Sequence, residues 1–351
     1  ATPGQPFGAT AVSERWTIVT GGAGFIGHHL VQALVARGAP VRVIERPGAV
    51  VDHLPDSVVI ARADIRDPIA GRQAMEGAEW VYHLAADPNL WARDKGRFDA
   101  VNHQGALHVM HAALAARARR VLHVSTESIL TKPGLAEAID ENVEVDVEDA
   151  VGPYCRSKLL AELNALERGR AGQPVVVANP TMPVGPGDRN LSPPSRLIRD
   201  FCQGKLPAYT ECTLNLIDAR DAAEGLVRVM ERGQPARRHL LGAYNMKLIE
   251  LLNLLSRLTG VPCPRWRVPY PVALAVAYLS EFWADTVSGQ MPQATVTGVR
   301  LSRRLFHFDS TRTLDELGLR PRPLTESLSE MLAWMRLLGW IGEPRSGRIH
   351  R

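Results

Sequence analysis

Tyr154 and Lys158 stand four residues apart in Tyr154-Cys155-Arg156-Ser157-Lys158, ahead of Leu159-Leu160-Ala161-Glu162-Leu163. That run reads as a helix, so the phenol and the ammonium share a face. A phenol is too weak an acid to exchange protons near neutral pH, but a neighbouring ammonium favours phenolate and lowers its pKa. The pair therefore predicts a general acid/base at Tyr154. Taken alone, Tyr-x-x-x-Lys also occurs in ordinary exposed helices. A hydroxyl pair at Ser125-Thr126, directly after a predicted strand, and a glycine-rich loop near the start of the chain move the reading toward chemistry. Cys155 has no histidine nearby in sequence and reads as a packed helix residue rather than a nucleophile.

The loop is Gly21-Gly22-Ala23-Gly24-Phe25-Ile26-Gly27, fed by the strand-like Trp16-Thr17-Ile18-Val19-Thr20 and followed by the helical His28-His29-Leu30-Val31-Gln32-Ala33-Leu34. Strand, turn and helix start in that order predict a dinucleotide site. Gly21 makes the turn, Gly24 lets a pyrophosphate approach the main chain, Gly27 lets the helix pack closely, and Phe25 and Ile26 open the helix toward the phosphates. Glu45 lies 18 positions after Gly27, at the end of the second strand, where a carboxylate accepts hydrogen bonds from the adenosine ribose of NAD. Arg46 offers the opposite choice, a guanidinium for the 2′-phosphate, so NAD is expected with NADP as the alternative. Asp64 and Ile65 follow the third strand and are placed to meet the adenine edge. Leu84-Ala85-Ala86 puts small residues where the cofactor must pass close to the backbone. Asp87, Asn89 and Trp91 then face either substrate or solvent. Glu127 and Ser128, beside the hydroxyl pair, either recognise a polar substrate group or bond within their own loop.

These residues need a scaffold, and the chain alternates in the way that supplies one. Val41–Ile44, Ser57–Ala61, Trp80–Leu84, Val121–Val124 and Pro174–Val177 read as buried strands with helical stretches between them. The expected fold class is α/β, a Rossmann-type doubly wound parallel sheet with a smaller C-terminal substrate-binding lobe. The dinucleotide-binding domain is expected over 15–179, with segment 213–232 returning to it, and the lobe over 180–341; 1–14 and 342–351 read as loose termini. Helices are expected near 194–204, 221–232, 247–259 and 271–287, and short strands at 213–217 and 305–308. The apolar run Val272-Ala273-Leu274-Ala275-Val276-Ala277-Tyr278-Leu279 is far short of a membrane span. It reads either as a buried helix or as the wall of an apolar pocket.

Composition sets the remaining bounds. A chain of 351 residues, 45% apolar and with a net charge of +4, can bury a substantial core and shows no basic tract beyond the short tail Arg345, Arg348, Arg351, so nucleic acid is not an expected partner. Cys155, Cys202, Cys212 and Cys263 make no CxxC pair or zinc spacing, and the eleven histidines show no metal-site pattern. No metal is implied, and a reducing cytoplasm fits better than a disulfide framework.

Thr20–Gly27, His83-Leu84-Ala85-Ala86, Ser125-Thr126, Tyr154–Lys158 and Asn179-Pro180-Thr181 occur in an order that resembles the extended short-chain dehydrogenase/reductase (NAD-dependent epimerase/dehydratase) superfamily over roughly residues 16 to 340. Asn179–Asp188 and Phe306–Ser310, followed by Glu316–Pro321, are most similar to the branch of hopanoid-associated sugar epimerases, dihydroflavonol reductases and 3β-hydroxysteroid dehydrogenases. The resemblance implies Thr126, Tyr154 and Lys158 as catalytic residues, with Thr126 in place of the commoner serine. It further implies Asn102 as a supporting residue near the cofactor, Pro180 at the cofactor, Asn179 toward substrate, and a homodimer. The activity implied is interconversion of a secondary alcohol and a ketone on a small-molecule substrate, lipid-like or otherwise apolar. A sugar-nucleotide epimerase with retained NAD uses the same residues, and a non-catalytic dinucleotide sensor is the alternative of another class.

Overall fold

The computed structural model describes residues 15–343; the termini expected to be loose, 1–14 and 342–351, lie outside these residues except for 342 and 343. In chain order the first half is β1 (Trp16–Thr20), α1 (Phe25–Ala36), β2 (Val41–Glu45), β3 (Val59–Arg62), α2 (Pro68–Ala74), β4 (Ala78–His83) and the single turn α3 (Gly96–Phe98). It continues through a π-helical stretch (Asp99–Gln104), α4 (Gly105–Ala115), β5 (Arg120–Val124), α5 (Gly152–Arg170) and β6 (Val175–Pro180). The second half is β7 (Met182–Val184), α6 (Pro193–Cys202), β8 (Ala208–Tyr209), β9 (Thr213–Asp218), α7 (Ala219–Arg232), β10 (Leu240–Leu241) and β11 (Tyr244–Lys247). It ends with α8 (Leu248–Thr259), β12 (Trp266–Arg267), α9 (Tyr270–Trp283), a second π-helical stretch (Ala284–Ser288), α10 (Val296–Leu301), α11 (Thr311–Leu317) and α12 (Leu324–Leu337).

Seven strands form one parallel sheet in the order β10-β6-β5-β4-β1-β2-β3. Apart from the edge strand β3, its strands are largely buried on both faces, which is why they read as continuous apolar runs rather than alternating ones. Successive residues point to opposite sides: Val19, Val43, Leu122 and Val176 pack with α1 and α7. Ile18, Ile44, Val121 and Val177 pack with α4 and α5. The strand order reverses between β1 and β4, and the crevice outside the carboxyl ends of such strands is where a doubly wound sheet holds its ligand.

A third core, around Phe201, Leu216, Leu252, Leu255, Leu328 and Met335, joins α6, β9, α8 and α12 beyond the sheet. In segment 213–232 the strand and the helix part company. β9 pairs with β7 and β11 in a separate three-stranded sheet, while α7 supplies Leu226, Val227 and Met230 to the core of the main one. The strand expected at 305–308 is absent: Phe308 makes one isolated bridge to Ile139, and Phe306 and Phe308 pack edge to face in a fourth cluster under α5. The run at 272–279 is helical as expected but not a buried helix: Ala273 and Ala277 are buried and Leu274 is half-buried, while Val272, Val276, Tyr278 and Leu279 face out. Among the described residues no helix is long and apolar enough to cross a membrane.

Candidate active site

The carboxyl ends of β1, β2, β4, β5 and β6 deliver the predicted residues to one edge of the sheet. After β1 the chain turns at Gly21, whose φ of +72° is a conformation that L side chains rarely adopt; a Cβ there would also come within 2.7 Å of the Ala85 nitrogen. The main chains of the glycine loop and of Leu84-Ala85 are therefore pressed together, and Thr20 Oγ1 seals the contact by accepting from Ala85 N–H at 3.3 Å. Gly27 meets the loop rather than the sheet: a Cβ would collide with the Gly21 carbonyl oxygen. Helix α1 opens at Gly24 with no side-chain cap and no acidic residue in its first turn. The first intrahelical bond runs from His28 N–H to the Gly24 carbonyl, so the N–H groups of Phe25 and Ile26 have no helical acceptor. A Cβ on Gly24 would approach only the Gly21 carbonyl, at 3.1 Å, and the space beyond is open. An uncapped helix end with open room before it fits a pyrophosphate.

Glu45 ends β2 with Oε1 accepting from Ala23 N–H at 2.8 Å, so the carboxylate is turned onto the glycine loop; burial pushes its pKa up. Arg46 is exposed, and its carbonyl and that of Ala49 are held by Arg62 at 3.4 and 2.8 Å. Asp64 does not present a free carboxylate: Arg66 binds it through Nε and Nη2, at 2.6 Å for the shortest contact, and holds its pKa down. The side chain of Ile65 faces inward, where a Cβ on Gly105 would come within 2.8 Å of it. Leu84, Ala85 and Ala86 are half-buried along the crevice.

Tyr154 and Lys158 occupy the first two turns of α5. The Tyr154 hydroxyl is close enough to Thr126 for the threonine to oppose part of its pKa rise, and its ring meets Phe98 edge to face at 6.3 Å between centroids. Lys158 Nζ donates to the Val124 carbonyl at 2.8 Å, and burial pulls its pKa down to about 8. The expected lowering of the Tyr154 pKa is reversed: burial, then Cys155 and Glu127, push it up. Tyr154 and Lys158 lie on one helical face, and the ammonium gives one of its three N–H donors to the Val124 carbonyl. His83, bonded through Nδ1 to Thr20 Oγ1 at 2.7 Å, is pulled down to about 3 by burial and by Lys158. Neutral imidazole is thus the form beside the lysine.

Thr126 carries a network that its sequence neighbours only hinted at. Its Oγ1 donates to Glu127 Oε2 at 2.9 Å and contacts Ser128 Oγ at 3.1 Å, so both neighbours turn toward the hydroxyl. Glu127 is buried and pushed up to about 7, first by desolvation. Cys155 is buried and pushed up to about 12, the behaviour of a packed thiol. From behind, Asn179 Nδ2 donates to the Thr126 carbonyl at 3.3 Å and to Glu162 Oε2 at 2.5 Å, and Arg238 Nε donates to Glu162 Oε1 at 2.6 Å. Glu162 and Arg238 are functional supports that sequence reading missed; the one available signal was the four-residue spacing of Glu162 from Lys158. Pro180 closes β6 in register with Leu241.

Asn102 lies in the π-helical stretch and ties the crevice to α5. It accepts from Asp87 N–H at 2.7 Å and donates to Ser157 Oγ at 3.3 Å. The Asp87 carboxylate is buried and already engaged, by Arg97 at 2.7 Å and by Asn89 Nδ2 at 2.7 Å, while Trp91 Nε1 donates to Asp285 Oδ1 at 2.9 Å. These three residues therefore bind the loop to its neighbours.

Comparison with known proteins agrees with this geometry. The sequence profile of the NAD dependent epimerase/dehydratase family matches residues 17–245. A putative dihydroflavonol 4-reductase from Synechocystis is 32% identical over 330 residues, covering 92% of this chain and 95% of its own. Sterol demethylase protein B from Methylococcus capsulatus is 31% identical over 329 residues, 93% and 99% of the two chains. The crystal structure of gox2253 superposes with a TM-score of 0.82 at 31% identity, covering 94% of this chain and all, 100%, of the other.

Proposed function

Because the chain belongs to the NAD dependent epimerase/dehydratase family and is an oxidoreductase enzyme that uses NAD(P), we propose that it interconverts a secondary alcohol and a ketone on a lipid-like or otherwise apolar substrate. The observation that carries this reading is the convergence of the Thr126 hydroxyl, just after β5, with Tyr154 and the buried Lys158 on one face of the first turns of α5. Gly21, Gly24, Phe25, Ile26 and Gly27 hold the dinucleotide phosphates, and Glu45, turned toward the same loop, reads the adenosine ribose and favours NAD. Bound there, NAD(P) supplies or accepts the hydride.

The protein's own part is to hold one proton and one oxygen. Tyr154 Oη gives a proton to the ketone oxygen in reduction and takes it from the alcohol in oxidation. Thr126 Oγ1 donates to the oxygen as charge develops on it. Lys158, buried beneath both, keeps positive potential under the site. Asn179, itself held by Glu162, fixes the Thr126 backbone, and Asn102 fixes the loop at Asp87, so all three act as positioning residues. Dehydrogenase chemistry is favoured over epimerisation by the apolar surface of α9, which adjoins the site through Trp91 and Asp285. We take 15–179 with the returning helix α7 as the dinucleotide domain and 180–341 as mainly the substrate lobe; a cytoplasmic homodimer belongs to the same proposal.

The test is incubation with NAD or NADP and a panel of apolar secondary alcohols and ketones alongside sugar nucleotides, following reduced nicotinamide and products together. Net cofactor conversion on the apolar members is expected. An isomerised sugar nucleotide without net conversion refutes the reading in favour of an epimerase.

A further inference from the structure

Helix α9 is inverted relative to an ordinary surface helix. Ala273, Ala277 and, in the π-helical turn that continues it, Ala284 are buried against the body. Val272, Val276, Leu279, Trp283 and Val287, spaced three or four residues apart, form the opposite face with Tyr278 and Phe282 beside them. Leu279 is 70% exposed, Phe282 66% and Val287 60%, and Trp266, just ahead of the helix, is 76% exposed. Monomeric proteins rarely leave a contiguous apolar patch of more than a few hundred Å² in water, so such a face has an occupant.

Charge around the face says which. Both acids of this hairpin are already engaged: Glu281 accepts from Val296 N–H at 2.8 Å, and Asp285 accepts from Trp91 and pairs with Lys95 at 3.5 Å. The outward charges are Arg265, Arg267, Arg300 and Arg303. Arg300 donates to Tyr278 Oη at 2.7 Å, Arg303 lies over the Tyr270 ring at 4.8 Å, and Arg267 pairs with Glu211 at 2.7 Å. A second copy docking here by a two-fold axis would bring this patch against itself, setting arginines against arginines with both acids of the hairpin already bonded to their own neighbours. An apolar stripe with tryptophan and tyrosine at its flanks and a cationic rim instead complements a lipid surface with anionic headgroups. The 14-residue α9 is roughly 21 Å long, so it lies on such a surface and does not cross it.

We propose that the α9 face is a membrane-docking surface for an anionic lipid bilayer. Its place in the fold gives it a use. The hairpin sits on the 87–95 loop through Trp91 and Asp285, and α10 packs Thr297 against Gly152, two residues before Tyr154. Docking places the mouth of the crevice against the bilayer. The docking stands without the lipid-substrate reading, since vesicle binding is measured with no substrate present.

Purified protein is floated with vesicles of phosphatidylcholine alone and of phosphatidylcholine mixed with phosphatidylglycerol. Binding to the anionic vesicles, weakened by salt and accompanied by a blue shift of tryptophan emission, is the expected result. The double variant Leu279→Glu, Phe282→Glu should lose binding by more than about tenfold, and Arg265→Glu with Arg303→Glu by about tenfold. Both pairs are exposed, and circular dichroism confirms that each variant is folded. Absence of binding to anionic vesicles by the folded wild type overturns the proposal. So does a concentration-dependent dimer that the Leu279→Glu, Phe282→Glu variant disperses, or equal vesicle binding by both variants and wild type.

Discussion

Glu127→Gln keeps the size of a buried side chain and removes its charge, and the consequences divide into stability and rate. Ionising Glu127 in the folded chain, where its pKa has risen from 4.5 to about 7, costs roughly 3 kcal/mol more than in the unfolded chain, at about 1.4 kcal/mol per tenfold. The folded state holds the proton more tightly, so this contribution is fully present below pH 4.5 and is lost as pH rises through about 7. Urea denaturation of wild type and Glu127→Gln between pH 5 and pH 8 should show the wild type losing stability relative to the variant by up to roughly 3 kcal/mol. The groups facing this carboxyl are Thr126, Ser128, Tyr154 and Cys155; burial holds the pKa of Tyr154 and of Cys155 far above this range, and Lys158, pulled down to about 8, titrates at its upper edge. The rate follows from the same bond. While Glu127 is ionised it takes the Thr126 hydrogen, and the protonated form releases that hydrogen for a substrate oxygen. Ketone reduction should therefore fall about tenfold per pH unit above about 7, to a limit of roughly 10²–10³ set by the worth of one oxyanion donor. Glu127→Gln has no charge to titrate at this position, so the fall that begins near pH 7 should be lost and only the effect of Lys158 near pH 8 should remain. Parallel stability and rate profiles for the two proteins would refute the assignment.

Tyr154→Phe should retain dinucleotide affinity and lose turnover by at least roughly 10²-fold on the substrate the panel identifies, measured by cofactor titration and initial rates. Glu45→Ala should weaken NAD more than NADP, because the ribose acceptor and its repulsion of a 2′-phosphate vanish together; an unchanged affinity ratio in paired titrations counts against Glu45 as the ribose reader. Gly27→Ala forces a Cβ onto the Gly21 carbonyl, so thermal unfolding should show a loss of about 1–3 kcal/mol together with weaker cofactor binding, whereas a neutral outcome would mean that the loop moves freely.

Much of the fold and the shape of the glycine loop was legible in the sequence because it rests on local rules. The run Trp16–Thr20 into three spaced glycines and a helix is one continuous stretch of chain, and β1, Gly21 and α1 stand where that stretch requires. The four-residue spacing of Tyr154 and Lys158 placed both on one face because the helical period is a property of the backbone alone. The two- to four-residue strands β7, β8, β10, β11 and β12 were not legible, since so few residues carry no periodic signal and are held by partners distant in the chain. What those side chains do once placed was decided by tertiary structure. The Val124 carbonyl accepts from Lys158, Glu127 is desolvated against α5, Asn179 reaches Thr126 from another strand while Glu162 holds Asn179 from another helix, and α9 turns its alanines inward. Burial and hydrogen-bond partners arise between segments far apart in sequence, and a pKa or an exposed face depends on those partners rather than on the residue's own neighbours along the chain.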